Sequence, residues 1–94
     1  MLTHIVFIRF TSTEVIPEAK RRLHTMEGKI PSLRSMEVGI DISRSQRSYD
    51  LALFTRFDDK EGLAAYAVHP VHKEVQAFLK ANASSVVVVD YLAD

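Results

Sequence analysis

Met36-Glu37-Val38-Gly39-Ile40-Asp41-Ile42 alternates apolar and polar residues at every step, and after a polar turn, Arg44–Ser48, a second patterned run spans Tyr49–Phe57. A period of two residues marks a strand with one buried face. Two such runs around a short polar segment make a β-hairpin. Tyr49, Leu51, Leu53 and Phe57 are expected on one face of the second strand, and Asp50, Ala52, Phe54 and Arg56 on the other. Outward from this hairpin, the chain carries the same two kinds of element on each side.

On the N-terminal side, Ile16, Ala19, Leu23, Met26, Ile30 and Leu33 recur at spacings of three and four, the stripe of a helix with one buried side. Thr11–Glu14 supplies capping residues, Pro17 suits a first turn, and Gly28 and Pro31 mark the end. Before it, His4–Phe10 is almost continuously apolar and rich in β-branched and aromatic residues, as in a central strand with both faces covered. Alternation puts His4, Val6, Ile8 and Phe10 on one face and Ile5, Phe7 and Arg9 on the other.

On the C-terminal side, Asp58 with Glu61 three residues later resembles a capping box, opening a helix that carries Leu63 and Tyr66. Pro70 ends that helix and begins another, with Val71, Val75, Phe78 and Leu79 inward. After a break at Asn82–Ser85, Val86–Tyr91 is a last strand. The order predicts an α+β, ferredoxin-like βαββαβ fold with a four-stranded antiparallel sheet, as a single domain over residues 1–94.

The composition narrows the function classes. There are 12 basic and 12 acidic residues, so no net field draws the chain to nucleic acid or an anionic membrane. Lys20-Arg21-Arg22 reads as the solvated face of the first helix. The absence of cysteine excludes disulfides and thiolate chemistry and fits a cytoplasmic protein. The N-terminus enters a strand pattern at once, and no apolar run approaches the length of a membrane span, so neither a signal peptide nor a membrane partner is expected.

Helices cover one face of such a sheet. Arg9, Asp50 and Arg56 assign the other face to the side of Phe7 and Phe54. Bare phenylalanines on a small domain call for a cover, and a second copy is the simplest one, giving a homodimer. His4 then points toward the helices, where Tyr66-Ala67-Val68-His69-Pro70-Val71-His72 forms the helix junction.

That junction holds the candidate chemistry. His69 suits the N-cap of the second helix. His72, near a helix N-terminus, is held neutral by the helix dipole and is a candidate general base. Tyr66 is a candidate hydrogen-bond donor to a substrate oxygen, and His4 an orienting group. The alternative is that the histidines cap backbone groups and Tyr66 simply packs. The histidines lack a carboxylate partner and helical i, i+4 spacing, so no metal site is expected. Three glycines form no phosphate loop, no nucleophile elbow is present, and no cofactor is expected.

His4–Phe10, Tyr49-Asp50-Leu51-Ala52-Leu53, Tyr66-x-x-His69-Pro70-x-His72 and Val87-Val88-Val89-Asp90-Tyr91, in this order, resemble the stress-responsive A/B barrel (Dabb) domain family across essentially the whole chain. The resemblance implies a dimeric α+β barrel of ferredoxin-like subunits. The family includes plant stress-associated proteins, some forming large assemblies. It also includes a plant polyketide cyclase whose cavity tyrosine and histidine match Tyr66 and His72, and whose first-strand histidine matches His4. Some plant members hold magnesium on backbone carbonyls at the end of the first helix. The corresponding positions are about Glu27, Ile30 and Leu33, where Gly28 and Lys29 depart from the more apolar pattern. Two functions follow. One is a homodimer with a cavity for a small apolar or carbonyl-bearing ligand and no assigned activity. The other is a cyclase-like enzyme moving protons on a carbonyl substrate with Tyr66 and His72. A surface-only assembly protein is the third and weaker alternative.

Overall fold

In the computed structural model, which describes residues 1–93, strand β1 (Leu2–Phe10) is followed by a 3-10 turn, Thr13–Val15, and helix α1 (Ile16–His24). Strands β2 (Ser35–Ile40) and β3 (Leu51–Phe57) form the hairpin. Helices α2 (Lys60–Val68) and α3 (Pro70–Asn82) and strand β4 (Ala83–Leu92) complete the chain. The sheet order is β2-β3-β1-β4, antiparallel throughout, which is the expected ferredoxin-like arrangement. Asp94 lies outside the described residues.

The core sits between the sheet and the helices. Val6, Ile8 and Phe10 from β1 and Leu51, Leu53 and Phe57 from β3 meet Ile16, Ala19, Leu23, Met26 and Ile30. The apolar stripe of the first helix is therefore buried as read, but α1 itself stops at His24. Met26 and Ile30 are delivered by successive turns, with Gly28 at φ 75°, a left-handed conformation that favours glycine. Ser12 rather than a threonine caps the turn before α1, accepting from the Glu14 N–H. Arg21 and Arg22 pair with Glu18 on the outer face, so the basic run is a solvated, self-paired surface.

Four local expectations are corrected. The first concerns β2, which ends at Ile40, where pairing with β3 ends at Leu51; Ile42 continues the alternation but is 93% exposed. Second, Asp59, not Asp58, caps α2 by accepting from the Gly62 N–H, while Asp58 pairs with Arg34. Third, Tyr49 precedes β3 and escapes its alternation. Its ring lies against Phe7 and under the Arg9 guanidinium, and its hydroxyl meets Ser85 Oγ at 3.0 Å. Fourth, Asp50 is buried rather than outward. Its carboxylate accepts from the Phe10 N–H at 2.8 Å and from Arg44 at 2.8 Å.

The face away from the helices is open. Phe7 is 41% exposed, and Val87 and Val89, paired with Phe7 and Ile5, are exposed beside it. No helix among the described residues is long and apolar enough to cross a membrane.

Candidate functional site

Strand register decides what faces the helices near the junction. His4 pairs with Asp90, Val6 with Val88 and Ile8 with Val86, so these six share the helix side of the sheet. The helices do not reach over β4, and a cavity of about 410 Å³ opens there. It is lined by His4, Tyr66, His72 and Asp90 among mainly apolar neighbours that include Leu23, Met26, Leu63, Val75 and Val88. That size is within the usual range for small-molecule sites.

The junction at His69–Pro70 explains how two histidines are spent. His69 is the N-cap of α3: its Nδ1 accepts from the Val71 N–H at 3.1 Å. Breaking the helix there also leaves carbonyls of the last turn of α2 without helical partners. His72 Nδ1 lies 3.1 Å from the Ala67 carbonyl oxygen. A carbonyl only accepts, so His72 Nδ1 carries the proton. The neutral ring then leaves Nε2 with a free lone pair. Burial pushes the His72 pKa below its ordinary value, the Ala67 carbonyl pulls it upward, and the neighbouring His4 pushes it down again. The ring is thus a neutral proton acceptor near pH 7.

Tyr66 is the one buried residue of α2, 2% exposed. Its ring lies 5.0 Å from that of Phe57 and 4.3 Å from that of His72, centroid to centroid. Burial alone pushes its pKa upward, with no hydrogen bond or charge opposing it. Nor is the hydroxyl among the sealed, partnerless side-chain atoms, of which Ser32 Oγ is the one found among the described residues. The hydroxyl is therefore protonated and open to the cavity.

The His4 ring stands edge-on to Tyr66 at 6.2 Å, and its Nδ1 is in contact with an Asp90 carboxylate oxygen. The carboxylate accepts, so His4 donates from Nδ1 and keeps Nε2 for other work. Thr55 Oγ1 donates to the His4 carbonyl at 3.2 Å and fixes the backbone there. All three residues named from the sequence, Tyr66, His72 and His4, are brought together. Asp90 was missed. The available signal was its place in β4: two steps beyond Val88, it shares the cavity face.

Among the described residues no group of three or more His, Asp or Glu side chains is arranged to hold a metal ion. At the turns after α1, the Ile30 carbonyl accepts from the Leu33 N–H at 3.0 Å, and Glu27 is paired with His24. No step of chemistry is assigned to an ion at these turns.

The family model for the stress responsive A/B barrel domain matches residues 2–93. The chain belongs to this family. A stress-response A/B barrel domain-containing protein of Arabidopsis thaliana is 26% identical over 95 aligned residues, covering 94% of this chain and 82% of the relative. A dimeric ferredoxin-like protein of unknown function from Jannaschia sp. superposes with a TM-score of 0.81 at 28% identity, covering 98% of each chain. The hydroxynitrile lyase of Passiflora edulis has the same fold, with a TM-score of 0.85 at 17% identity over 99% of this chain and 93% of the lyase. The Dabb domain is thus a ferredoxin-like α+β unit with dimeric structural relatives, and in this chain the Phe7 face of the sheet is left open.

Proposed function

We propose that this Dabb protein is a homodimeric, cytoplasmic enzyme that moves a proton on a small apolar carbonyl compound bound between sheet and helices. The observation that carries this reading is the Tyr66 hydroxyl, protonated, without a protein partner and open to a mostly apolar cavity beside a neutral histidine. A substrate carbonyl oxygen accepts a hydrogen bond from Tyr66. His72 Nε2 takes a proton from the carbon next to that carbonyl: the C–H bond breaks, an N–H bond forms, and the charge moves to the oxygen. The raised pKa of Tyr66 makes it a hydrogen-bond donor to that oxygen rather than a source of a free proton. His4, held by Asp90, orients the substrate or returns the proton. An intramolecular cyclisation of a poly-carbonyl chain begins with this same step, which gives the cyclase reading its place. A hydroxynitrile lyase has the same fold, which supports an enzymatic reading.

The test is hydrogen–deuterium exchange at the carbon beside the carbonyl of a medium-chain ketone in D2O, followed by NMR. Wild-type protein is expected to accelerate exchange, and His72→Ala to lose roughly 10²–10⁴-fold of that acceleration. Equal exchange by the variant would remove His72 from the mechanism. No acceleration by wild type, with the ketone bound, would leave a binding protein.

A further inference from the structure

The cavity is polar at both ends. Along α3, His72, Gln76 and Lys80 line it at successive spacings of four, so they form one row on the cavity side of that helix. On the sheet, His4 and Asp90 face the end occupied by His72. Lys80 stands three residues before β4 begins and lines the cavity together with Val86, which pairs with Ile8. Two rulers give the separation of the two ends. Eight helical residues from His72 to Lys80 span about 12 Å. Four strand residues from His4 to Ile8 span about 13 Å. Between them, Gln76 apart, the walls are apolar: Val6, Ile8, Leu23, Val75 and Leu79.

Lys80 joins none of the ion pairs among the described residues. It is exposed at the mouth, so its ammonium has room to meet a charged ligand group while its methylene stem lies along the wall.

Building on the proton-transfer reading above, we infer that the ligand is an elongated carbonyl compound carrying an anionic group, a medium-chain keto acid or its equivalent. Its carbonyl lies at Tyr66 and His72, its chain along the apolar walls, and its carboxylate at Lys80 with Gln76 as a second donor. The opposite orientation brings the carboxylate toward Asp90, where like charges repel. The distance between the ends selects a chain of about ten carbons. Lys80 also stands in the last turn of α3, where a cation offsets the helix dipole. That structural role affects stability but not the choice between a charged and a neutral ligand.

The test compares three probes by calorimetry: oxodecanoate with its ketone at the penultimate carbon, its methyl ester, and the ketone of equal length with no acid group. Wild-type protein is expected to bind the acid roughly threefold to tenfold tighter than the ester, a preference that shrinks as salt is added. Lys80→Met, which keeps the stem and removes the charge, is expected to bring the ratio to about one by weakening the acid alone. An acid bound no tighter than its ester, or a preference that survives in Lys80→Met, overturns the anionic subsite. If the ester and ketone still bind and exchange in those cases, the proton-transfer reading stands without it. If none of the three probes binds, both readings fall.

Discussion

Tyr66→Phe separates a functional hydroxyl from a structural one. The substitution keeps the ring against Phe57 and His72 and removes a single oxygen from a residue that is 2% exposed. Where a buried tyrosine hydroxyl holds a protein partner, removing it typically costs about 1–3 kcal/mol once the orphaned group is counted. For a domain of this size each kcal/mol corresponds to a shift of about 4–8 °C in Tm. Here no protein group holds the hydroxyl, and burial is the one influence on its pKa. The expected change in stability is within about 0.5 kcal/mol, or a few degrees in Tm. The expected loss in ketone exchange is about 10²–10³-fold, the usual effect of deleting one donor to a developing oxyanion. Differential scanning calorimetry and the NMR exchange assay on one preparation read both quantities. A Tm drop above about 8 °C with exchange retained would refute the reasoning, because it would show the hydroxyl employed by the fold.

Three further outcomes follow from the same structure. His72 titrates below its ordinary pKa because burial opposes its charge, so an NMR titration of its ring is expected to have a midpoint under 6.5. The unfolded chain then binds the proton first on acidification, so His72's contribution to stability is complete above pH 6.5 and is lost as pH falls through the folded value; a midpoint at or above 6.5 would contradict the buried, neutral ring. Asp50→Asn removes the charge that meets Arg44 and the Phe10 N–H, and is expected to cost about 1.5–3 kcal/mol in urea unfolding. Burial raises the Asp50 pKa, but those two donors and Arg9 outweigh it, so the contribution is present above pH 3.8 and lost below it; a cost under about 0.5 kcal/mol would make the network ornamental. Phe7→Asp places a charge on the open face, and light scattering is expected to show dimers for wild type and monomers for the variant. An unchanged mass would move the self-association surface elsewhere.

The limits of the sequence pattern lie in particular residues. Periodicity grouped His4, Val6, Ile8 and Phe10, the charges on the other face turned them toward the helices, and the structure agrees. It also found every buried position of the first helical stripe, although half of the stripe is turn rather than helix. Alternation does not record where a partner strand ends, which is why Ile42 looks like strand yet lies in solvent. Nor does it register a turn that reverses facing, as at Tyr49 and Asp50. The capping pattern points to Asp58, but Arg34, 24 residues away, claims that carboxylate and Asp59 caps the helix instead. His72 was readable as a capping residue or a base. The structure makes the two readings compatible, since donation from Nδ1 to the Ala67 carbonyl leaves the Nε2 lone pair free.

The valine run of β4 shows why the site and the dimer surface need not compete. Val86 through Val89 carries no alternation, so it reads as a strand covered on both sides. In the monomer it is covered on neither: Val86 and Val88 are 48% and 49% exposed, Val87 and Val89 43% and 60%. The two pairs face opposite ways. Val87 and Val89 lie with Phe7 on the open side, where a second copy has apolar area to bury. Val86 and Val88 line the cavity, past the reach of α2 and α3. They face away from the open side, and among the described residues no helix packs directly over them. On the proposed reading these four apolar side chains serve two occupants, the inner pair facing a molecule whose chain is apolar along its middle. Leucine at Val88 would extend a side chain into that space, and is expected to weaken binding of a ten-carbon ketone several-fold while leaving the dimer intact. Unchanged affinity, measured by the same calorimetry, would place the ligand somewhere other than over β4.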